Sequence, residues 1–225
     1  MSDKIRIIEV KQSVFADNDR DAAKLRNELK EKKTFLLNLM SSPGSGKTTL
    51  LKGILPSLAK ELKIGVMEAD IDGDVDAKAI SDIGIKSIQL HTGGMCHLDA
   101  DMSRQGFKEF CTSADVVFLE NIGNLVCPAE FDTGAHLKMA LLAVPEGDDK
   151  PLKYTLMFST CDVVVVTKTD TAKYFDFDLE KCKKYIAKIN PNAKVFAVSS
   201  KTGEGVDTLA DWIFDSYKNW REGLK

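Results

Sequence analysis

Phe35-Leu36-Leu37-Asn38-Leu39-Met40 runs directly into Ser41-Ser42-Pro43-Gly44-Ser45-Gly46-Lys47-Thr48-Thr49, and this junction decides the fold. A strand-length apolar run, a glycine-rich turn and then Leu51, Ile54, Leu55, Leu58 and Leu62 at helical spacing give the strand–loop–helix context of a phosphate-binding loop. Gly44 and Gly46 let backbone N–H groups turn toward phosphate oxygens with no Cβ in the way. Lys47 offsets phosphate charge, Thr48 can ligate Mg²⁺, and the helix N-terminus favours an anion. Ser45 and Thr49 belong to the same cradle. Ser41 stands where the usual pattern has its first glycine, and Pro56 predicts a kink or break in the helix that follows.

Outward from this junction, strand-like apolar runs recur at 64–67, 85–90, 116–119, 163–166 and 195–198, mostly separated by helix-length stretches. The alternation predicts an α/β P-loop NTPase fold, a mostly parallel sheet with helices on both faces. The run 137–144 is too short to reveal its period and fits a strand or a helix. Residues 15–33 are charge-rich, with Leu25 and Leu29 one turn apart and Asp17 or Asn18 as candidate N-caps. They read as a surface helix, so residues 1–33 are expected to form a helical extension packed on a single nucleotide-binding domain spanning 34–225.

The 225 residues suffice for one well-buried α/β domain and are short for two. A hydrophobic share of 44%, a charged share of 29% and a net charge of −3 describe an ordinary globular chain and give no reason to expect nucleic acid. The start lacks the apolar run of a secretory signal, and every apolar run is too short to span a bilayer. The expectation is therefore a cytoplasmic protein with no membrane partner. Five widely spaced cysteines argue against a disulfide framework. Cys111, Cys161 and Cys182 sit among apolar neighbours and are expected in the core. Cys96 and Cys127 sit among glycine, proline and polar neighbours, as loop residues do.

Base identity is read further downstream. The run 163–166 leads into Thr167-Lys168-Thr169-Asp170, which resembles the guanine-recognition motif of GTPases with threonine in place of the usual asparagine. A carboxylate at Asp170 can accept both N1–H and N2–H of guanine, a donor pair that adenine lacks. The stem of Lys168 can cover the base plane. Ser199-Ser200-Lys201-Thr202-Gly203, after the last strand, resembles the loop whose backbone meets the guanine carbonyl. A solvated charged turn after each strand is the alternative, but both segments lie where strands end, as ligand loops do. GTP is favoured over ATP.

Among hydrolytic parts, Glu120-Asn121-Ile122-Gly123 resembles the Asp-x-x-Gly switch with glutamate in the first place. Glu120 can hold Mg²⁺ through water, and the Gly123 N–H can meet the γ-phosphate. Asp70 and Asp72 are expected to face the magnesium or the attacking water, with Asp74 and Asp76 as solvated turn residues. No glutamine or arginine finger stands out, which predicts slow intrinsic turnover.

Cys96 and His97 are adjacent and follow the loop Thr92-Gly93-Gly94, with Cys127 31 positions after Cys96. Thiolate and imidazole suit zinc or nickel, and both loops leave strand ends on the ligand-binding edge of the sheet. Three ligands fall short of a closed tetrahedral site, so the pair alone also fits a loop with no ligand role. Water, Asp101, Glu130 or a second subunit are candidates for the fourth position. His91 and His136 read as structural or surface residues.

Taken together, the segments 41–49, 68–76, 92–100 (TGGMCHLDA), 120–130 (ENIGNLVCPAE), 146–154 (EGDDKPLKY) and 167–170 strongly resemble the HypB family of GTPases, which serve nickel insertion into [NiFe]-hydrogenase. The resemblance runs from about Lys33 to the C-terminus. It implies the SIMIBI class of P-loop GTPases, a homodimer favoured by GTP, and nickel or zinc held by Cys96, His97 and Cys127. The implied partners are a HypA-type nickel carrier and, as eventual recipient, the hydrogenase large subunit. Residues 1–33 hold no cysteine or histidine, so the N-terminal nickel-binding motifs of some members are not expected. A urease-accessory GTPase is the nearest rival, but its Cys-Pro-His motif differs from adjacent Cys96-His97. A P-loop small-molecule kinase would leave Thr167–Asp170 without a task, and zinc as a purely structural dimer staple is a third reading.

Overall fold

The computed structural model describes residues 10–70, 75–110 and 113–224. In chain order, α1 (Val10–Lys32) leads into β1 (Phe35–Ser41), α2 (Lys47–Leu58), β2 (Ile64–Asp70), α3 (Val75–Ser81) and β3 (Lys86–His91). Then come α4 (Ala100–Phe110), β4 (Val116–Gly123), α5 (Cys127–Glu130), β5 (Leu137–Ala143), α6 (Lys150–Lys153) and α7 (Thr155–Thr160). The chain closes with β6 (Val163–Thr167), α8 (Leu179–Ile189), β7 (Lys194–Ala197) and α9 (Val206–Glu222). Short 3₁₀ segments follow β5 and β6.

Among the described residues, seven strands form one sheet in the order β3-β2-β4-β1-β5-β6-β7. Every neighbouring pair is parallel, so the sheet is wholly rather than mostly parallel. Because crossover helices cover both faces of such a sheet, its central strands can be apolar throughout. All seven residues of β1 are buried. One face packs Leu37, Leu39 and Phe118 against α2 and α9. The other packs Leu36, Val117 and Leu119 against α1 and α4, and Val164 and Val166 against α7 and α8. Helix α1 lies on α4, where Leu25 and Leu29 meet Phe107 and Phe110.

Several sequence expectations are settled here. The run after His136 is a strand, β5, seated between β1 and β6. Helix α2 continues through Pro56 without a break. The proline sits on the exposed side two residues before the helix ends, and the carbonyl it leaves without a partner belongs to exposed Lys52, where water can reach it. Asp17 and Asn18 do not cap α1, which already runs from Val10; they lie inside it. Asn18 is buried and makes tertiary hydrogen bonds instead. Cys161 and Cys182 are in the core, and burial pushes both thiols up to about 12. Cys111 lies outside the described residues. His91 is an exposed strand end, whereas His136 accepts a hydrogen bond from Leu36 N at 3.1 Å and stacks on Phe35. Among the described residues no helix is long and apolar enough to cross a membrane.

Candidate functional site

The loop after β1 turns on Gly44 and Gly46, with φ of 70° and 94°, into the N-terminus of α2. Lys47 Nζ donates to Ser41 Oγ at 3.2 Å and lies 4.0 Å from Glu120 Oε1. Ser41, the residue in the place of the first glycine, is buried and serves as an anchor for this lysine. Thr48 Oγ1 donates to Glu120 Oε1 at 3.1 Å. A cavity of about 350 Å³ opens over Gly46, Lys47, Thr48 and Glu120. The hard oxygen donors of Thr48 and a buried Glu120 suit Mg²⁺. Asp70 ends β2, is exposed and does not line this cavity; Asp72 lies outside the described residues.

A second cavity of about 280 Å³ adjoins it, lined by Ser45, Thr49, Lys168, Asp170, Ser200 and Lys201 among others. Its walls are tied to the phosphate loop. Thr167 Oγ1 donates to Ser45 O at 2.7 Å, and Lys168 Nζ donates to Gly44 O at 2.7 Å. Threonine in the place of the usual asparagine therefore still fastens β6 to the loop. Ser199 Oγ donates to Asp170 Oδ1 at 2.7 Å and accepts from Thr202 N at 3.2 Å. Ser199 thus aims the Asp170 carboxylate, while Ser200 and Lys201 face the cavity.

Cys96, His97 and Cys127 converge, with one potential ligand atom from each lying within 4.8 Å of the others. The Sγ atoms of Cys96 and Cys127 are 3.1 Å apart, and Cys96 Sγ lies 3.9 Å from His97 Nδ1. Cys96 is exposed, whereas His97 is 6% exposed and stacks on Phe131 at a centroid distance of 3.9 Å. Burial lowers the His97 pKa against the pull of Asp99 and Glu130, which keeps the imidazole neutral and able to ligate. His97 Nε2 is buried with no hydrogen-bond partner. The neighbouring Cys96 thiol, then burial, raises the Cys127 pKa, so metal binding must displace protons and strengthen as pH rises. Glu130 is the acidic candidate whose charge acts on both His97 and Cys127. Asp101 instead accepts from Gln105 along α4.

The two sites share one segment. Strand β4 delivers Glu120 to Thr48, then Gly123 passes so close to the phosphate loop that an added Cβ would lie 2.9 Å from Pro43 Cα. Four residues later the same segment presents Cys127 to Cys96. This geometry defines a P-loop nucleotide-binding protein whose strand-end edge also carries a soft-metal ligand set.

Comparison with known proteins gives the particular family. The family model "CobW/HypB/UreG, nucleotide-binding domain" matches residues 35–197. The hydrogenase maturation factor HypB of Azotobacter chroococcum is 43% identical over 209 residues, covering 92% of this chain and 68% of its own length. The hydrogenase/urease maturation factor HypB of Helicobacter hepaticus is 39% identical over 211 residues, covering 92% of this chain and 86% of its own. The crystal structure of HypB from Helicobacter pylori in complex with nickel superposes with a TM-score of 0.84 at 36% identity, over 90% of this chain and 96% of that one. The chain belongs to the HypB family.

Sequence reasoning missed Phe131, the half-buried stacking partner of His97, and the tertiary role of Asn18. An apolar residue after a short helix and a polar residue inside a longer one carry no local signal for either.

Proposed function

We propose that this chain is a GTP-hydrolysing metallochaperone that helps deliver nickel to the active site of [NiFe]-hydrogenase, with metal binding coupled to nucleotide state and dimerisation. One observation carries the reading. The segment from Glu120 to Cys127 touches the phosphate loop at one end and the sulfur pair at the other. A change in the phosphates that moves Gly123 against Pro43 also moves a metal ligand, and linkage then requires nickel affinity to differ between nucleotide states.

Each residue has a part. Gly44, Ser45, Gly46, Lys47, Thr48 and Thr49 bind the phosphates, and Lys168, Asp170, Ser199, Ser200 and Lys201 select guanine. Lys47 stabilises charge that develops on the phosphates during transfer. Thr48, Glu120 and Asp72 would hold Mg²⁺, which supplies Lewis-acid stabilisation when bound. The Gly123 N–H meets the γ-phosphate. With no arginine or glutamine finger assigned, intrinsic turnover is slow. Cys96, His97 and Cys127 hold nickel as cargo, with zinc as a competitor of similar ligand preference. The fourth position is filled by water, Glu130 or a second copy of the chain. A GTP-favoured homodimer, a HypA-type nickel carrier and the hydrogenase large subunit are the partners, in the cytoplasm. Residues 1–33 act as an extension to the GTP-binding domain.

The test is Ni²⁺ affinity of the full chain with a non-hydrolysable GTP analogue and with GDP. Allosteric coupling of ordinary size gives a ratio of about 5–150. Equal affinities overturn the coupling.

A further inference from the structure

Three asparagines join the two segments that carry the metal ligands. Asn124 Nδ2 donates to Cys96 O at 3.2 Å, and its Oδ1 accepts from Val126 N at 2.9 Å. Asn121 Oδ1 accepts from Leu98 N at 3.2 Å and from Ile122 N at 2.9 Å, while its Nδ2 donates to Asn38 Oδ1 on β1. Asn18 Oδ1 accepts from Ala100 N at 2.9 Å, and its Nδ2 donates to Asp132 O at 3.0 Å. The backbone around His97 is thus fixed at positions 96, 98 and 100. Each fixing point leads to the stretch between 121 and 132 that contains Cys127.

Asn121 and Asn124 belong to that stretch. Asn18 belongs to neither ligand segment: it comes from α1 and bridges both. A helix cap would explain its bond to Ala100, the first residue of α4. It would not explain why the other end of the same buried amide reaches Asp132. A second connection runs parallel to the first, because Phe15 of α1 lies 5.0 Å from the ring of Phe131, which itself stacks on His97. Arg26, two turns further along α1, bonds both carboxylate oxygens of Asp132.

We propose that Asn18 is a positioning residue for the metal site, holding the His97 segment and the Cys127 segment at ligand distance although it touches no ligand itself. The inference rests on the metal-binding reading above. Ligand loops ordered in advance lose less conformational freedom when a metal binds, and outer-shell partners that order them typically contribute about 10–100-fold in affinity. On this account α1 is a working part of the site rather than a cover for α4.

The test uses the full chain and Ni²⁺ alone, followed by sulfur-to-nickel charge-transfer absorption. Asn18→Ala should bind Ni²⁺ about 10–100-fold more weakly than wild type, with a shifted band and unchanged GTP affinity. Asn18→Asp keeps an acceptor for Ala100 N and loses the donor to Asp132 O, so it should fall between the two, and it carries the test if the alanine variant does not fold. Glu28→Ala breaks the Glu28–Arg104 pair between α1 and α4 without touching Asn18, and should leave Ni²⁺ affinity at the wild-type value. Wild-type affinity in both Asn18 variants overturns the proposal. So does equal weakening by Glu28→Ala, which would mean that any loosening of α1 suffices. If wild type itself binds no Ni²⁺, the metal-binding reading fails and this inference with it.

Discussion

Two histidines stand at opposite ends of the strands, and their surroundings give the same side chain different work. Both are sheltered from water, and burial lowers the pKa of each. Both stack on a phenylalanine: His97 on Phe131 with planes 22° apart, and His136 on Phe35 with planes 12° apart. They differ in how the ring nitrogens are used. At the N-terminal end of the sheet, His136 Nδ1 accepts from Leu36 N, and Trp220 packs against the ring. At the C-terminal end, His97 turns Nδ1 toward Cys96 Sγ at 3.9 Å beside the second thiol, and its Nε2 has no hydrogen-bond partner. A neutral imidazole is suited to both tasks. What separates a structural histidine from a candidate ligand is whether the fold has already occupied its lone pair.

The sharpest way to break this contrast is to remove each ring in turn. His97→Ala should weaken Ni²⁺ binding by more than the ~10–100-fold typical of outer-shell changes, with GTP affinity intact. His136→Ala should leave Ni²⁺ affinity unchanged in the same equilibrium titration. The reverse pattern would exchange the two roles.

A smaller effect is expected in stability against pH. The pKa of His136 falls to about 4 on folding, through burial and then the nearby Arg26 charge. Between pH 4 and the unfolded value near 6.5 the unfolded chain therefore binds more protons, so stability rises with pH across that window. The contribution is fully present above 6.5, is lost as pH falls toward 4, and amounts to roughly 3 kcal/mol at most. Urea unfolding of wild type from pH 7 to 4 should show this slope, and His136→Phe should flatten it. An unchanged slope in the variant would remove His136 from the account. The smallest effect sharpens the contrast among the thiols. Cys182→Ser should leave Ni²⁺ affinity at the wild-type value, because that thiol is held at about 12 inside the core. Measurable loss of affinity by metal titration would place a core cysteine in the site.

What was legible in the sequence follows the same division. The phosphate loop and the Thr167–Asp170 motif are local in the chain, and their spacing alone indicated where they sit. Cys96 and Cys127 were legible as a pair through the rule that strand-end loops share an edge, and through the family resemblance. Asn18 was misread as a cap because a polar residue near a helix start has a local use, and nothing local discloses a tertiary one. Pro56 was expected to disturb α2 because its exposure near the helix end depends on packing not visible in the sequence. The wholly parallel order was legible as a tendency, while the placement of β5 required the contacts of β1 and β6.

The strand order also has a consequence for how the protein is made. Strand β1 has no sequence neighbour as a sheet partner; it lies between β4 and β5, with Phe35 opposite Val116 and Leu37 opposite Leu137. During synthesis the phosphate-loop strand emerges long before either partner. At ordinary ribosomal rates that interval is on the order of ten seconds. No hairpin can shelter it, since parallel strands need crossovers. An apolar segment that ends as a strand buried along its whole length begins as an unaccompanied one, and that interval is when a nascent-chain chaperone has most reason to hold it.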